Sequence, residues 1–211
     1  MRPVLVIGAG RFAREVIPLV RESGRQITGI LDDRRAELPP LLAGAQILGT
    51  VSDIYRYPDS DVVVAVASSI DRAEVVARLA LLGTDGERYL SVIDPTVRNP
   101  SGCLVGHGSI LFAGVTITAD AELGTHVVAM PHVTITHDCA VSDFVTFATG
   151  VSLGGGVSIG VSAYLGMNAS VRQEIRVGAR AVLGMGAVAL TDIPPGETWA
   201  GVPAKRLELR G

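Results

Sequence analysis

VGHGSILFAGVTITADAELGTHVVAMPHVTITHDCAVSDFVTFATGVSLGGGVSIGVSAYLGMNASVRQEIRVGARAVLGMGAV, residues 105–188, repeats every six residues without an insertion. Every sixth residue from Val105 is apolar: Leu111, Ile117, Leu123, Ala129, Ile135, Val141, Phe147, Leu153, Ile159, Leu165, Val171, Val177 and Leu183 follow it. Four residues beyond each lies a second row, running from Ser109 and Val115 through Cys139 and Val145 to Ala187, in which Ser109 alone is polar. The charges of the stretch (Asp120, Glu122, Asp138, Asp143, Arg172, Glu174, Arg176, Arg180) avoid both rows. A fixed period with two inward positions is the pattern of a solenoid, whose repeats stack to bury a core that none could bury alone. Short β-branched segments separated by Gly, Asn and Asp favour strands over helices.

The six-residue period resembles the hexapeptide pattern of the left-handed parallel β-helix, three hexads to a coil of eighteen residues. Such a helix is a frame, with chemistry on its outside or between copies. Cys103 and Cys139 fall on the inward row two coils apart, about 9–10 Å at ordinary strand spacing and too far for a disulfide. Both are expected as buried thiols. The chain has 211 residues, a net charge of −3, high hydrophobic and low aromatic content, and no basic run longer than Arg34-Arg35 or Lys205-Arg206. Nucleic acid is therefore not an expected partner. The opening Val4-Leu5-Val6-Ile7-Gly8-Ala9-Gly10 is too short for a signal peptide or a membrane span, which points to the cytoplasm.

Upstream of the repeat the pattern changes. Val4 to Ile7 reads as a buried parallel strand, Gly8-Ala9-Gly10 as a tight turn, and Phe12 to Glu22 as a helix ending near Gly24. Ile27 to Leu31 reads as a second strand ending in Asp32-Asp33. Asp61 to Val66 reads as a third, followed by a helix from about Asp71 to Leu82. Alternating strands and helices imply a parallel sheet with its ligand edge at the strands' C-terminal ends. The chain divides into a half-Rossmann-like α/β domain (1–90), a left-handed β-helix (91–190) and a C-terminal cap (191–211). The glycine turn followed by an acid about twenty residues later suits one nucleotide, with phosphate at the helix start and Asp32 or Asp33 bonding base or ribose; Ala13 stands where a full fingerprint has its third glycine. A solvated acidic pair at a strand end is the other reading of Asp32-Asp33.

Four histidines are present, and the hexad frame places none inward: His107 and His137 lie two positions after a core residue, His126 and His132 three after. His137 has Asp138 next to it and Asp143 one hexad on. A carboxylate beside an imidazole fixes its tautomer and stabilises the imidazolium, as a general base at neutral pH requires. One coil from His137 is Gly155, within Gly154-Gly155-Gly156, where missing side chains leave room for a ligand along the backbone or simply make a corner. Met167 and Met185 share the phase of His137 and stack one coil apart, as a soft apolar strip or as packing between copies.

Gly8-Ala9-Gly10 with its helix, Leu31-Asp32-Asp33, the strand leading to Arg72, the hexads, Thr136-His137-Asp138-Cys139 and Gly201-Val202-Pro203-Ala204-Lys205-Arg206 together resemble the bacterial sugar O-acyltransferase family. This family includes sialic acid O-acetyltransferases and N-acetyltransferases of nucleotide-linked 4-amino-sugars. The resemblance spans nearly the whole chain. It implies a homotrimer with active sites between neighbouring β-helices, acetyl-CoA as cosubstrate, no metal, and a sugar or sugar-nucleotide acceptor held partly by the N-terminal unit. Carried over, His137 is the general base and Asp138 its partner, while Gly155, Met167 and Met185 face the pantetheine. Lys205 and Arg206 meet the CoA phosphates, and Gly8, Gly10, Phe12, Asp32 and Asp33 hold the acceptor.

The family pattern is broken at three places: Phe12 replaces a histidine, Ala67-Ser68 replaces a Gly-x-Asn ending, and Thr146 replaces a second histidine. The expected reaction is direct acyl transfer to an amine or hydroxyl, with the oxyanion held by backbone N–H groups and no covalent enzyme intermediate. Acylation of a non-sugar small molecule, a trimeric metal hydratase using His132 and His137 with His107 or His126 from a neighbour, and a non-catalytic nucleotide-binding trimer remain alternatives.

Overall fold

The structure, a computed structural model, describes residues 1–208. The chain opens with strand β1 (Val4–Ile7), helix α1 (Ala13–Glu22) and strand β2 (Ile27–Leu31). A hairpin of β3 (Leu41–Leu42) and β4 (Ala45–Gly49) follows, then β5 (Asp61–Val64) and helix α2 (Ser69–Leu81). The sheet order is β3-β4-β2-β1-β5, with only β3 antiparallel. The hairpin extends the expected three-strand sheet, because Leu41-Leu42 and Ala45 lack the β-branched run that marks a strand in sequence. Helix α2 begins two residues earlier than expected, since the Ser68 hydroxyl caps it by accepting from the Asp71 N–H at 3.3 Å.

From β6 (Val92–Ile93) onward the chain winds into a left-handed parallel β-helix of two-residue strands on three faces. One face stacks Leu104–Val105, Glu122–Leu123, Ala140–Val141, Ser158–Ile159 and Arg176–Val177. The second stacks β6 on Ile110–Leu111, Val128–Ala129, Thr146–Phe147, Tyr164–Leu165, Val182–Leu183 and Thr198–Ala200. The third stacks Thr116–Ile117, Thr134–Ile135, Ser152–Leu153, Ser170–Val171 and Val188–Ala189. Both inward rows form one buried cluster running from Cys103 to Ala204. Cys103 and Cys139 are buried free thiols, as their phase demands. Past residue 190 the coil continues: Ile193 bridges to Val177 and Thr198–Ala200 joins the second face before the chain reverses at Lys205–Arg206.

The corners turn through left-handed backbone at the third position after each inward residue, including His126 (φ 54°), His132 (62°), Asp138 (59°) and Phe144 (60°). Non-glycine residues rarely adopt this region, so the stacking of the coils must over-determine it. The α/β unit sits on the second face. Val4, Val6, Phe12, Ala13 and Val16 share one apolar cluster with Val92, Ile110, Phe112 and Val128 of that face. Among the described residues no helix is long and apolar enough to cross a membrane.

Candidate active site

His137 stands on the corner between the third and first faces. The left-handed backbone of Asp138 turns its carboxylate back onto the preceding ring, and His137 Nδ1 lies 2.7 Å from Asp138 Oδ2. With Nδ1–H donating to this carboxylate, the lone pair is on Nε2. Both side chains are about two-thirds exposed, at 64% and 66%. Gly155 is directly below in the next coil, but the space it leaves is filled by the imidazole itself. A methyl at Gly155 would stand 2.5 Å from Nε2 and 3.0 Å from Nδ1. Asp143 takes no part in this pair: its Oδ1 accepts from the Thr125 N–H at 2.6 Å on a different corner. Cys139, next in sequence, is buried with Sγ 3.3 Å from the Gly154 carbonyl, and burial pushes its thiol up from the ordinary range. It is not an activated nucleophile.

Met167 and Met185 occupy the corner between the second and third faces, one coil apart and exposed. Lys205 and Arg206 lie exposed on the short strand that pairs antiparallel with Trp199–Ala200, and Arg206 is 3.4 Å from Glu197. His132 shares the corner of the methionines rather than that of His137, which separates the two histidines of the metal alternative. Among the described residues no group of three or more His, Cys, Asp or Glu side chains is placed to hold a metal.

At the sheet edge Gly8 has φ 98°, and a side chain there would press on the Ala65 carbonyl. Asp32 is buried and internally committed: it accepts from the Ala9 N–H at 2.7 Å and the Arg34 N–H at 2.8 Å. Burial opposes its ionisation, but these two N–H groups and the Arg34 guanidinium outweigh it and hold the carboxyl below its usual value. Asp33 accepts from the Val51 N–H at 3.1 Å and pairs with Arg78 at 2.6 Å. Asp32 is thus not a solvated acid, whereas Asp33 is exposed and paired at the surface with Arg78. Asp32 fixes the glycine turn, and Asp33 ties it to α2.

A crevice of about 290 Å³ at this edge is lined by Gly8, Gly10, Arg11, Arg34, Ala67 and Ser68, among others. A larger, mostly apolar cavity of about 340 Å³ lies between the unit and the second face, where Phe12, Ala67, Met130, Thr146, Tyr164 and Met167 meet. Arg11, Phe12 and Ala67 border both, so the two spaces are contiguous. Of the residues that depart from the family pattern, Phe12, Ala67 and Thr146 meet in this cavity, while Ser68 borders the crevice. Tyr164, Met130 and Arg11 were not singled out in the sequence; only the stacking of residues eighteen apart places Tyr164 beneath Thr146.

His126 keeps the outward phase that the hexad frame gives it. It lies outside the coil interior yet is only 3% exposed, stacked on Phe144 at 5.3 Å and edge-on to Tyr89 at 4.5 Å. Its Nδ1 has no partner among the described residues. Burial first, and then the charge of Arg72, lower its pKa to about 4. The folded state therefore binds fewer protons than the unfolded chain, whose histidines titrate near 6.5. Stability conferred by neutral His126 is intact above pH 6.5 and is lost as pH falls toward 4, by roughly 2 kcal/mol at pH 5. Urea midpoints at pH 7 and pH 5, at fixed protein concentration, should show this loss in the parent and not in His126→Asn, which tolerates the left-handed backbone.

The β-helix thus carries the α/β unit on one face and an exposed His–Asp pair on the opposite corner. Residues 3–79 match the family model described as the PglD N-terminal domain. The acetyltransferase domain of PglB from Neisseria gonorrhoeae, solved with acetyl coenzyme A, is 31% identical over 98% of this chain and 99% of that one, with a TM-score of 0.88. The chain belongs to the hexapeptide-repeat family of sugar acetyltransferases. GDP-perosamine N-acetyltransferase of Escherichia coli is 29% identical across 96% of this chain and 95% of its own length. A histidine-to-asparagine mutant of perosamine N-acetyltransferase from Caulobacter crescentus, bound to CoA and GDP-perosamine, is 26% identical over 98% and 97% of the two chains, with a TM-score of 0.91.

Proposed function

We infer that this chain transfers the acetyl group of acetyl-CoA to an amine on a nucleotide-linked sugar, with His137 as general base. The observation that carries this reading is the His137–Asp138 pair at 2.7 Å on an exposed corner. Nε2 takes the proton as the acceptor nitrogen attacks the thioester carbonyl. The oxyanion is met by backbone N–H groups, and CoA leaves as a thiolate that is then protonated. No metal and no covalent enzyme intermediate enter this sequence.

The acceptor spans the two contiguous spaces. Its nucleotide sits in the crevice at the Gly8–Gly10 turn, with Arg11 and Arg34 as the cations available to phosphate, and its sugar in the cavity bounded by Phe12, Ala67 and Thr146. The role assigned to Asp32 and Asp33 changes accordingly, from ligand contact to holding this turn in shape. Met185, Lys205 and Arg206 remain the donor side, and Met167 stands where that side meets the acceptor cavity.

His137 is on the vertex opposite the face that carries the cavity, so one chain cannot bring its own base to its own acceptor. On this reading a neighbouring copy supplies it, as the closed symmetry of a trimer would allow. Free thiols and an acetyl-CoA donor suit the cytoplasm.

Thiol release from acetyl-CoA, measured against UDP-, GDP- and dTDP-linked amino-sugars and free sialic acids, tests the reading. Turnover is expected on one class of nucleotide-linked amino-sugar. Turnover on sialic acid alone would move the chemistry to oxygen, and silence across the panel with CoA still bound in calorimetry would point to a non-sugar acceptor; either result overturns the nucleotide-sugar assignment.

A further inference from the structure

We propose that Arg72 is a positioning residue that locks the α/β unit against the β-helix and so sets the geometry of the acceptor cavity, an inference that rests on the cavity being the acceptor site. Arg72, in the first turn of α2, is fully buried, yet no carboxylate is among its hydrogen-bond partners. Nε donates to the His126 carbonyl at 3.0 Å. One terminal nitrogen donates to the carbonyls of Val66 and Ala67 at 2.9 and 3.1 Å. The other donates to the carbonyls of Phe144 and Val145 at 2.9 and 3.3 Å and to Thr146 Oγ1 at 2.9 Å.

The guanidinium thus joins two walls of one cavity. Val66 and Ala67 belong to the loop after β5, and Ala67 lines both spaces. His126 and Phe144 are left-handed corner residues in successive coils, and Thr146 begins the strand that faces the cavity. Thr146 Oγ1 is also 3.1 Å from Ser69 Oγ, which closes the link from coil to α2. A planar fork with donors on three nitrogens can hold carbonyls from two units in one fixed relation, whereas an ammonium on a flexible stem cannot. Removing a cation from water without a counter-ion is costly, and an apolar side chain would pack the same junction more cheaply. The orientation it imposes accounts for a guanidinium at this junction.

Arg72→Lys should raise the acceptor KM at least about tenfold while the KM for acetyl-CoA stays within about twofold, because misplacing one wall of a site by about an ångström is enough for losses of that order. Thr146→Val should raise the acceptor KM severalfold and Thr146→Ser should restore it, since serine keeps the hydroxyl that Arg72 holds. Hydrogen exchange supplies a readout independent of turnover: protection should fall at residues 66–69 and 144–146 in Arg72→Lys and persist in the coils below. Equal changes in both KM values, unchanged kinetics in a merely less stable variant, or unchanged or globally lost protection would overturn the proposal. Absence of wild-type transfer to any nucleotide sugar would sink the functional reading instead, and hydrogen exchange would still decide the role of Arg72.

Discussion

His137→Ala should lower kcat by about 10²- to 10⁴-fold, the contribution expected of a positioned general base, with CoA binding unchanged in calorimetry. The corner geometry explains the selectivity of the loss. Asp138 Oδ2 accepts from Nδ1–H at 2.7 Å, which leaves the Nε2 lone pair free to take a proton, and the ring makes no other side-chain bond among the described residues. Because both side chains are largely exposed, truncating the ring should leave stability within about 0.5 kcal/mol of the parent. Asp138→Asn should fall between parent and His137→Ala, since an amide can still hold the ring but does not stabilise the imidazolium. Thiol release under saturating acetyl-CoA measures all three. A kcat for His137→Ala within threefold of the parent would remove the residue from the mechanism.

The β-helix was readable because each hexad repeats the same two inward positions, so Leu111 through Leu183 report one structural fact many times over. The first strand, glycine turn and first helix were readable from local pattern. What escaped were arrangements made by residues distant in sequence. Asp32 and Asp33 stood out as acids, but their partners Ala9 and Arg78 lie 23 and 45 residues away, and nothing local distinguishes a carboxylate that binds a ligand from one that braces a turn. His126 was sorted correctly outside the coil interior, yet its enclosure by Tyr89 and Phe144 depends on how the α/β unit docks. Arg72 entered only as part of a family resemblance, because a buried arginine satisfied by carbonyls leaves no signature beyond its own letter. The convergence of Phe12, Ala67 and Thr146 on one cavity likewise needs the docked unit. The eighteen-residue spacing did align Gly155 with His137, but whether that space belongs to a ligand or to the ring is a question of rotamer that spacing does not answer.

Gly155→Ala should reduce kcat by about 10- to 100-fold through His137, without removing any group that takes part in the chemistry, because displacing a catalytic group by about an ångström costs that much. The three glycines of this corner are constrained differently. Gly156 has φ 68° and occupies the left-handed position, while a side chain on Gly154 would meet the Gln173 backbone nitrogen at 2.6 Å. Gly155 has neither constraint; the nearest atoms to an added methyl belong to the imidazole, with Nε2 at 2.5 Å. The coil backbone can stay in place while the ring swings away, so overpacking should appear as lost alignment with Asp138 and cost stability no more than about 1–3 kcal/mol. The double variant His137→Ala/Gly155→Ala separates this from a direct contact between Gly155 and CoA. If the glycine acts through the imidazole, the double variant has the kcat of His137→Ala alone and an unchanged affinity for CoA. If Gly155 instead faces the pantetheine, as its position first implied, the second substitution lowers CoA affinity further even with the ring absent, and the glycine belongs to the donor groove.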